Sequence, residues 1–122
     1  MKNLKIIIDI LHPAHVHFFK NFIKIMIEKN HEILVTSRNK EITNYLLDAY
    51  NIEYTSISSI SKNKIDLVKE LTIRNLKFLK IAKKFKPDVL MGIMGATIAP
   101  IGKILGVPSI VFYDTENAKL TN

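Results

Sequence analysis

The sequence predicts an α/β protein built on a Rossmann-like, doubly wound parallel sheet of five strands in the order 3-2-1-4-5. Three observations predict this fold. Apolar runs of strand length alternate with segments of helical period, short loops join them, and 122 residues are enough for one domain. Such an alternation requires parallel strands, right-handed crossovers and helices on both faces of the sheet. We therefore expect residues 1–122 to form a single Rossmann-like domain.

The first half of the chain is expected to run strand, helix, strand, helix, strand. Residues 4–10 are apolar and β-branched, which is typical of a strand covered on both faces. Helical spacing occurs at residues 15–29, a second strand at 32–37, a short helix at 41–50 and a third strand at 53–57. The side chains that we expect to face the core from the two helices are Val16, Phe19, Ile23, Met26 and Ile27, then Ile42, Tyr45, Leu46 and Ala49.

The second half contains a long helix and a strand–helix–strand unit. A serine-rich loop at 58–63 precedes a helix at 65–86, which Pro87 ends. Strands are expected at 88–92 and 108–113, with a helix at 97–105 between them. The side chains of the long helix that we expect to face the core are Val68, Leu71, Phe78, Ala82 and Phe85, and its lysines on the opposite face are Lys69, Lys77, Lys80 and Lys84.

Residues 89–113 are also long and apolar enough to suggest a membrane span, since Lys103 is their one charged residue. All four glycines of the chain lie inside this stretch, together with Pro100 and Pro108. Because glycine and proline interrupt a helix, the stretch is better explained as a buried βαβ unit.

Composition excludes several classes of site. The chain has no cysteine, so thiol catalysis, zinc thiolate sites and iron–sulfur clusters are excluded, and a reducing cytoplasm is the expected compartment. Lysine and arginine number 18 against 11 acidic residues, a formal net charge of +7. The lysine face of the long helix is either simply solvated or a contact for acidic lipid or nucleic acid. Nucleic acid is disfavoured, because no aromatic residues are interleaved with the lysines.

A sheet of this order binds ligands beyond the carboxyl ends of its strands, where strands 1 and 4 diverge. Three stretches should converge there: residues 9–17, residues 92–97 and residues 114–117. The first of them holds three of the four histidines of the chain, His12, His15 and His17. We therefore place the candidate site at this edge.

The histidine cluster has three interpretations. A metal site is disfavoured and we expect none, because His15 and His17 on one helix point about 200° apart. In a purely structural interpretation, His12 and His15 cap the start of the helix and His17 packs on the sheet. In the interpretation that we favour, imidazoles and free amides at the helix start bind an anionic or hydroxyl-rich ligand.

No nucleotide cofactor is expected. A G-x-G-x-x-G motif is absent after strand 1, strand 2 ends on Ser37 and Arg38 without an acidic residue, and no P-loop motif occurs. Gly92 and Gly95 either permit tight packing and a positive φ or let a ligand approach the backbone.

Two carboxylates, Asp114 and Glu116, lie on one loop after strand 5. They fit a general base or ligands for sugar hydroxyls. A solvated loop near the end of the chain, in which Asp114 caps the next segment, explains them equally well.

Several of these stretches resemble a known family. KPDVLMGIMG at residues 86–95, LGVP at 105–108 and DTEN at 114–117 resemble the N-terminal half of glycosyltransferases of the B type (GT-B). The order and spacing of these motifs are similar to those of the peptidoglycan N-acetylglucosaminyl transferase and the UDP-N-acetylglucosamine 2-epimerases. The string IDILHPAHVHFFKN at residues 8–21 resembles more specifically the GT-B-like family called domain of unknown function 354.

The resemblance implies the acceptor-side N-terminal domain of a sugar-nucleotide enzyme, a glycosyltransferase or an epimerase of polysaccharide biosynthesis. In such a domain we expect His12, His15 and His17 to line the cleft floor, and Gly95 and Thr97 to present helix-start amides. One departure is that Met94 stands where the transferase has the first glycine of a pair. The partners implied are a sugar nucleotide, a glycan or lipid-linked acceptor, and the membrane surface, which a basic, apolar patch contacts peripherally.

The remaining expectations concern the acidic loop and the second half of such an enzyme. Asp114, Glu116 and Asn117 are expected to bind acceptor hydroxyls, and His15 or Asp114 to act as the base. Because GT-B enzymes need two Rossmann-like domains, the chain is incomplete relative to them and is expected to be inactive without a second domain or subunit. The alternative is a non-catalytic single-domain Rossmann module that binds an anionic ligand or a partner protein.

Overall fold

The computed structural model describes residues 3–39, 41–59, 64–93 and 97–112. All five strands are parallel and lie in the order β3-β2-β1-β4-β5, which confirms the predicted fold class and strand order. The elements in chain order are β1 (Lys5–Ile10), α1 (Pro13–Glu28), β2 (Glu32–Asn39), α2 (Glu41–Ala49), β3 (Thr55–Ser59), α3 (Lys64–Phe85), β4 (Val89–Ile93), α4 (Ile98–Leu105) and β5 (Ser109–Phe112).

The central strand β1 is buried on both faces and divides the core in two. Ile6 and Ile8 pack on one side with Phe19 of α1 and other residues of α1 and α2. Ile7 packs on the other side with Phe78 of α3 and with residues of α4. Two buried faces explain why β1 is a continuous apolar run without polar alternation.

The helix α1 begins at Pro13, earlier than the helical spacing of the sequence indicates. Pro13 occupies the first helical position, where its missing N–H removes no hydrogen bond, and the preceding His12 is extended with φ −150° and ψ 150°. The first turn of α1 therefore already includes both Pro13 and His15, and this turn lies at the carboxyl end of β1.

Several side chains that were expected to face the core are exposed. They are Ile27, Tyr45, Ala49, Val68 and Leu71, and these predictions were wrong. In α2 the fully buried side chains are Thr43 and Leu47, and Leu46 packs half-buried against the core as expected. The buried stripe is therefore shifted from the predicted one and includes a polar residue. In α3 the described side chains before Arg74 are largely exposed, whereas Phe78 and Ala82 are buried. The side chain of Ile42 lies outside the described residues.

The glycine-rich stretch folds as β4, α4 and β5, as expected for a βαβ unit. Gly102 is required by packing, because a Cβ there would lie 2.7 Å from the backbone oxygen of Val107. Gly106 ends α4 with a φ of 69°, a conformation that glycine adopts without strain. Within the described residues, no helix has the length and hydrophobicity that crossing a membrane requires.

Candidate functional site

The candidate site lies at the carboxyl edge of the sheet, between β1 and β4. These two strands are neighbours, with Asp9 in register with Gly92. After β1 the chain enters α1 on one face of the sheet, and after β4 it enters α4 on the other face. Because the two connections diverge, a crevice is expected at this edge, where sheets of this class bind ligands.

Two imidazoles cap the start of α1. The His12 Nδ1 accepts a hydrogen bond from the backbone N–H of Ala14 at 3.2 Å. The Nδ1 of His15 accepts one from the backbone N–H of Leu11 at 3.1 Å. The two rings lie 6.0 Å apart between centroids, His12 exposed and His15 only 7% exposed. The capping part of the structural interpretation is therefore confirmed, and it uses the Nδ1 atom of each ring.

His15 is neutral at physiological pH. Burial of the ring, with a smaller contribution from the neighbouring charge of His12, lowers the pKa of His15 to about 4. A neutral imidazole whose Nδ1 accepts a hydrogen bond carries its proton on Nε2. His15 therefore presents an N–H donor at Nε2.

The backbone amides at the start of α1 are largely used within the turn. The N–H groups of Leu11 and Ala14 are bonded to the two imidazoles, and the N–H of His15 donates to the carbonyl of His12 at 2.9 Å. These three amides therefore have partners within the turn, and ligand binding at the helix start stays a prediction. The imidazole nitrogens are the donors that remain.

His17 lies apart from the other two histidines. It is exposed and contacts Tyr50, with ring centroids 5.9 Å apart and its Nδ1 3.5 Å from the Tyr50 hydroxyl. It does not pack on the sheet, so that part of the structural interpretation was wrong. Among the residues that the structure describes, no group of three or more His, Asp or Glu side chains could hold a metal ion.

On the β4 side, the candidate residues that the structure describes are Gly92 and Thr97. A Cβ on Gly92 would lie 3.3 Å from Ile98 Cδ1 and 3.4 Å from the Asp9 carbonyl oxygen. This tight packing favours the packing explanation for Gly92. Thr97 is 2% exposed and precedes α4, and its carbonyl accepts the N–H of Ile101 at 3.3 Å.

Gly95, Asp114, Glu116 and Asn117 lie outside the described residues, so their place in the site stays a prediction. The last residue of β5, Phe112, is in register with the end of β4 and packs on α1. Its ring centroid lies 5.2 Å from that of Phe18 and 5.8 Å from that of Phe19. The histidine-bearing start of α1 and the end of β5 are therefore held at the same edge of the sheet.

A buried ion pair below this edge was missed by the sequence analysis. Arg74 of α3 pairs with Asp9 of β1, and the Thr36 hydroxyl donates to the same carboxylate oxygen at 2.9 Å. Burial raises the pKa of Asp9, while Arg74 and Thr36 lower it. The pair is almost inaccessible to solvent, so it fixes α3 on the sheet and is not a candidate base.

A second concave surface lies elsewhere on the molecule. A groove of about 760 Å³ runs between the second half of α1, strand β2 and the segment after α2. Its floor is aliphatic, including Ile23 and Val35, and Lys20, Lys24 and Glu28 lie along its rim. The groove lies towards the amino edge of the sheet and shares neither His12 nor His15.

Comparison with known proteins identifies the family and the fold. The model of the family described as "Protein of unknown function (DUF354)" matches residues 4–122. No curated protein matches the sequence significantly. The solved structures that resemble the chain include UDP-GlcNAc 2-epimerase from Neisseria meningitidis bound to UDP-GlcNAc, at 14% identity and a TM-score of 0.71 over 89% of this chain and 32% of that one.

Two further structures have the same architecture. MurG of Acinetobacter baumannii matches at 18% identity and a TM-score of 0.70, over 96% of this chain and 39% of that one. The glycosyltransferase VinC in complex with dTDP matches at 7% identity and a TM-score of 0.71, over 90% of this chain and 34% of that one. The chain spans about a third of the length of these three structures. At these identities the likeness shows the GT-B type of Rossmann-like fold alone.

Proposed function

The chain belongs to the Protein of unknown function (DUF354) family, and we propose that it is the acceptor-side N-terminal domain of a GT-B-like sugar-nucleotide enzyme, a glycosyltransferase or an epimerase. The observation that carries the proposal is the pair of imidazoles at the carboxyl edge of this sheet. The likeness to a UDP-GlcNAc 2-epimerase bound to UDP-GlcNAc supports it, because the matching third of that protein has the same fold as this chain.

In this proposal, His12 and His15 form the floor of the crevice, and Thr97 borders it from the β4 side. Gly95 completes the ligand contacts on the β4 side, whereas His17 lies beside Tyr50 and is left out of the proposed contacts. The acidic loop supplies Asp114, Glu116 and Asn117 for acceptor hydroxyls. The proton of a reacting hydroxyl is handled by His15 or Asp114.

The chain alone is proposed to bind its ligand without turning it over. Catalysis depends on contacts made in the transition state, and in a two-domain GT-B enzyme a second domain or subunit supplies part of them. The sugar nucleotide and a glycan or lipid-linked acceptor are the proposed partners of the complete enzyme.

The test is calorimetric titration of the purified chain with UDP-GlcNAc, with an epimerisation and transfer assay in parallel. Saturable binding is expected, and the double variant His12→Ala with His15→Ala should weaken it at least tenfold. Lys29→Ala, an exposed change at the far end of α1, is the control and should bind normally. Turnover by the chain alone would contradict the half-site part of the proposal. Salt-sensitive anion binding that survives the double variant would favour the non-catalytic module.

The outer face of α3 is proposed to contact an anionic membrane surface peripherally. Ile73 and Leu76 are exposed there, and Lys69, Lys77 and Lys80 lie on the same side of the helix. Exposed apolar side chains among lysines are the composition of an interfacial helix. Each lysine near an anionic surface contributes about 1 kcal/mol.

Co-sedimentation with vesicles of phosphatidylcholine and phosphatidylglycerol tests this contact. The double variant Lys77→Glu with Lys80→Glu should lose binding at least tenfold. The double variant Lys24→Glu with Lys29→Glu makes the same charge change on α1, on the other face of the sheet, and should lose much less. Equal losses of vesicle binding in the two double variants would show that the net charge of the protein, and not the outer face of α3, determines binding.

A further inference from the structure

We infer that His15 serves the crevice as a fixed hydrogen-bond donor, with its Nε2–H bound to a phosphate oxygen of the ligand, and that it is not the base. The inference rests on the proposed function and deepens it, since it assigns one chemical role and one ligand group to a residue with two candidate roles.

Geometry fixes which nitrogen carries the proton. The N–H of Leu11 points at Nδ1 of His15 with 3.1 Å between the nitrogens, so Nδ1 must offer its lone pair. A backbone N–H cannot change from donor to acceptor, and this bond therefore selects the Nε2–H tautomer. The opposite tautomer would place two N–H groups against each other.

The donor at Nε2 has no partner within the part of the chain that the structure describes. His15 is more than nine-tenths buried, yet its one described hydrogen bond is made by Nδ1. A polar group held in a mostly buried position gains free energy when a ligand supplies the missing acceptor. The ring is thus oriented through Nδ1, and its Nε2 has no protein partner among the described residues.

The surroundings favour an anionic acceptor. His15 is in the first turn of α1, where the helix dipole is positive, and this turn has no acidic residue. His12 stands beside it with its Nδ1 likewise engaged by a backbone N–H, so its outer nitrogen is a second potential donor. The nearby carboxylate of Asp9 is paired with Arg74. A phosphate oxygen fits these donors, whether it belongs to a nucleotide diphosphate or to a phosphorylated acceptor.

A role as base conflicts with the same geometry. To take a proton from a hydroxyl, His15 would have to use Nδ1 and break its bond to Leu11. The pKa of about 4 also makes the ring a weak proton acceptor.

Long-range proton–nitrogen NMR of the nitrogen-15-labelled chain at pH 7.5 tests the tautomer directly. We expect Nδ1 of His15 to be unprotonated and Nε2 to carry hydrogen, and addition of UDP to move the Nε2–H signal more than that of Nδ1. A proton on Nδ1, or a charged ring, would overturn the inference.

Two substitutions of His15 separate the capping role of its Nδ1 from the hydrogen-bond donor role of its Nε2. His15→Asn keeps an acceptor near the position of Nδ1 but removes the outer donor, whereas His15→Gln places an amide N–H near the position of Nε2. UDP and glycerol 3-phosphate are the probes. His15→Asn should lose about tenfold or more in affinity with little change in thermal stability, because a hydrogen bond to a charged group contributes about 1.5–3 kcal/mol. His15→Gln should lose less than about threefold.

The outcomes distinguish a nucleotide phosphate from an acceptor phosphate. They also separate the donor role of His15 from the proposed sugar-nucleotide function. A loss confined to UDP assigns the phosphate to the nucleotide, and a loss confined to glycerol 3-phosphate assigns it to an acceptor. Equal losses in folded His15→Asn and His15→Gln, or no loss in His15→Asn, would overturn the donor role. If the loss occurs but UDP-GlcNAc binds no better than glycerol 3-phosphate, the donor role stands and the sugar-nucleotide function fails.

Discussion

Arg74 and Asp9 tie the long helix α3 to the central strand through a buried ion pair. Both side chains are about 3% exposed, and Thr36 donates to the same carboxylate. Removing one partner of such a pair leaves the other charge buried, which costs about 3–5 kcal/mol, whereas replacing both with apolar groups is often neutral. At the scale of single residues, this pair determines where α3 lies.

Substitution of one partner should therefore cost more than substitution of both. Arg74→Met is expected to lower the free energy of unfolding by about 3 kcal/mol, and the double variant with Asp9→Leu should recover at least half of that loss. Urea unfolding followed by circular dichroism measures both values. Lys77→Met, an exposed change on the same helix, is the control and should stay within about 0.5 kcal/mol of the parent. A double variant less stable than Arg74→Met would contradict this account.

His15 should make stability depend on pH. Its pKa is lowered from 6.5 to about 4, first by burial and then by His12. Between about pH 6.5 and pH 4 the imidazole of His15 is protonated in the unfolded state but not in the folded state. The contribution of neutral His15 to stability is therefore complete above pH 6.5 and is lost as the pH falls towards 4. The free energy of unfolding falls by about 3 kcal/mol over this range because of His15.

Comparison with His15→Asn isolates this contribution from that of the carboxylates. Urea unfolding of both proteins at pH 7.5, 6.0 and 4.5 should show the parent losing stability faster than the variant as pH falls. A difference between the two proteins that does not change with pH would contradict the buried, neutral imidazole.

The sequence indicated that His12 and His15 lie at the carboxyl edge of the sheet, but it did not indicate the ion pair beneath that edge. His12 and His15 come directly after a predicted strand, so topology alone places them at the carboxyl edge. Arg74 lies on the same helical stripe as Phe78 and Ala82, one and two turns before them, and could have been found from that spacing. It was missed because only apolar side chains were considered for the core, and an arginine enters it only with a partner such as Asp9.

At the scale of elements, α4 and its turn depend on one close approach. Gly102 lies where a Cβ would be 2.7 Å from the Val107 carbonyl oxygen, and its own carbonyl accepts the N–H of Val107 at 2.9 Å. Because the added Cβ would meet a backbone atom and not a flexible side chain, Val107 cannot move away without disturbing the end of α4.

Gly102→Ala is therefore expected to destabilise the protein by about 2 kcal/mol, the size of an overpacking effect. Gly106→Asn is the matched control, since a Cβ there meets nothing within 4 Å and asparagine tolerates its φ of 69°. Thermal unfolding of the two variants should show the larger loss for Gly102→Ala. The reverse order would show that the left-handed residue, rather than the close approach, governs this turn.

The outward orientation of parts of α2 and α3 could not be predicted from the period of their apolar residues. Leu71 lies on the buried stripe of α3 by spacing, but the described side chains before Arg74 are largely exposed. In α2 the buried stripe contains Thr43, which a pattern of apolar residues does not reveal. Burial depends on where neighbouring elements end, and that is a tertiary property.

At the scale of the whole molecule, the strand order is the main reason for placing the candidate site between β1 and β4. The alternation of strands and helices was sufficient to predict the order 3-2-1-4-5, and that order alone puts the divergence of chain connections between β1 and β4. The sequence could not show that the amides at the start of α1 are occupied by His12 and His15, because this depends on the rotamers of both rings.

The central claim is that the crevice at the carboxyl edge, and not the groove beside Tyr50, binds the ligand. Amide proton–nitrogen NMR spectra of the labelled chain during titration with UDP-GlcNAc test it most directly. We predict that the signals of residues 11–16 and of residues 113–117 shift together and saturate at one common ligand concentration. Shifts confined to the groove, at Ile23, Tyr50 and Ile52, or no shifts at all would contradict the account.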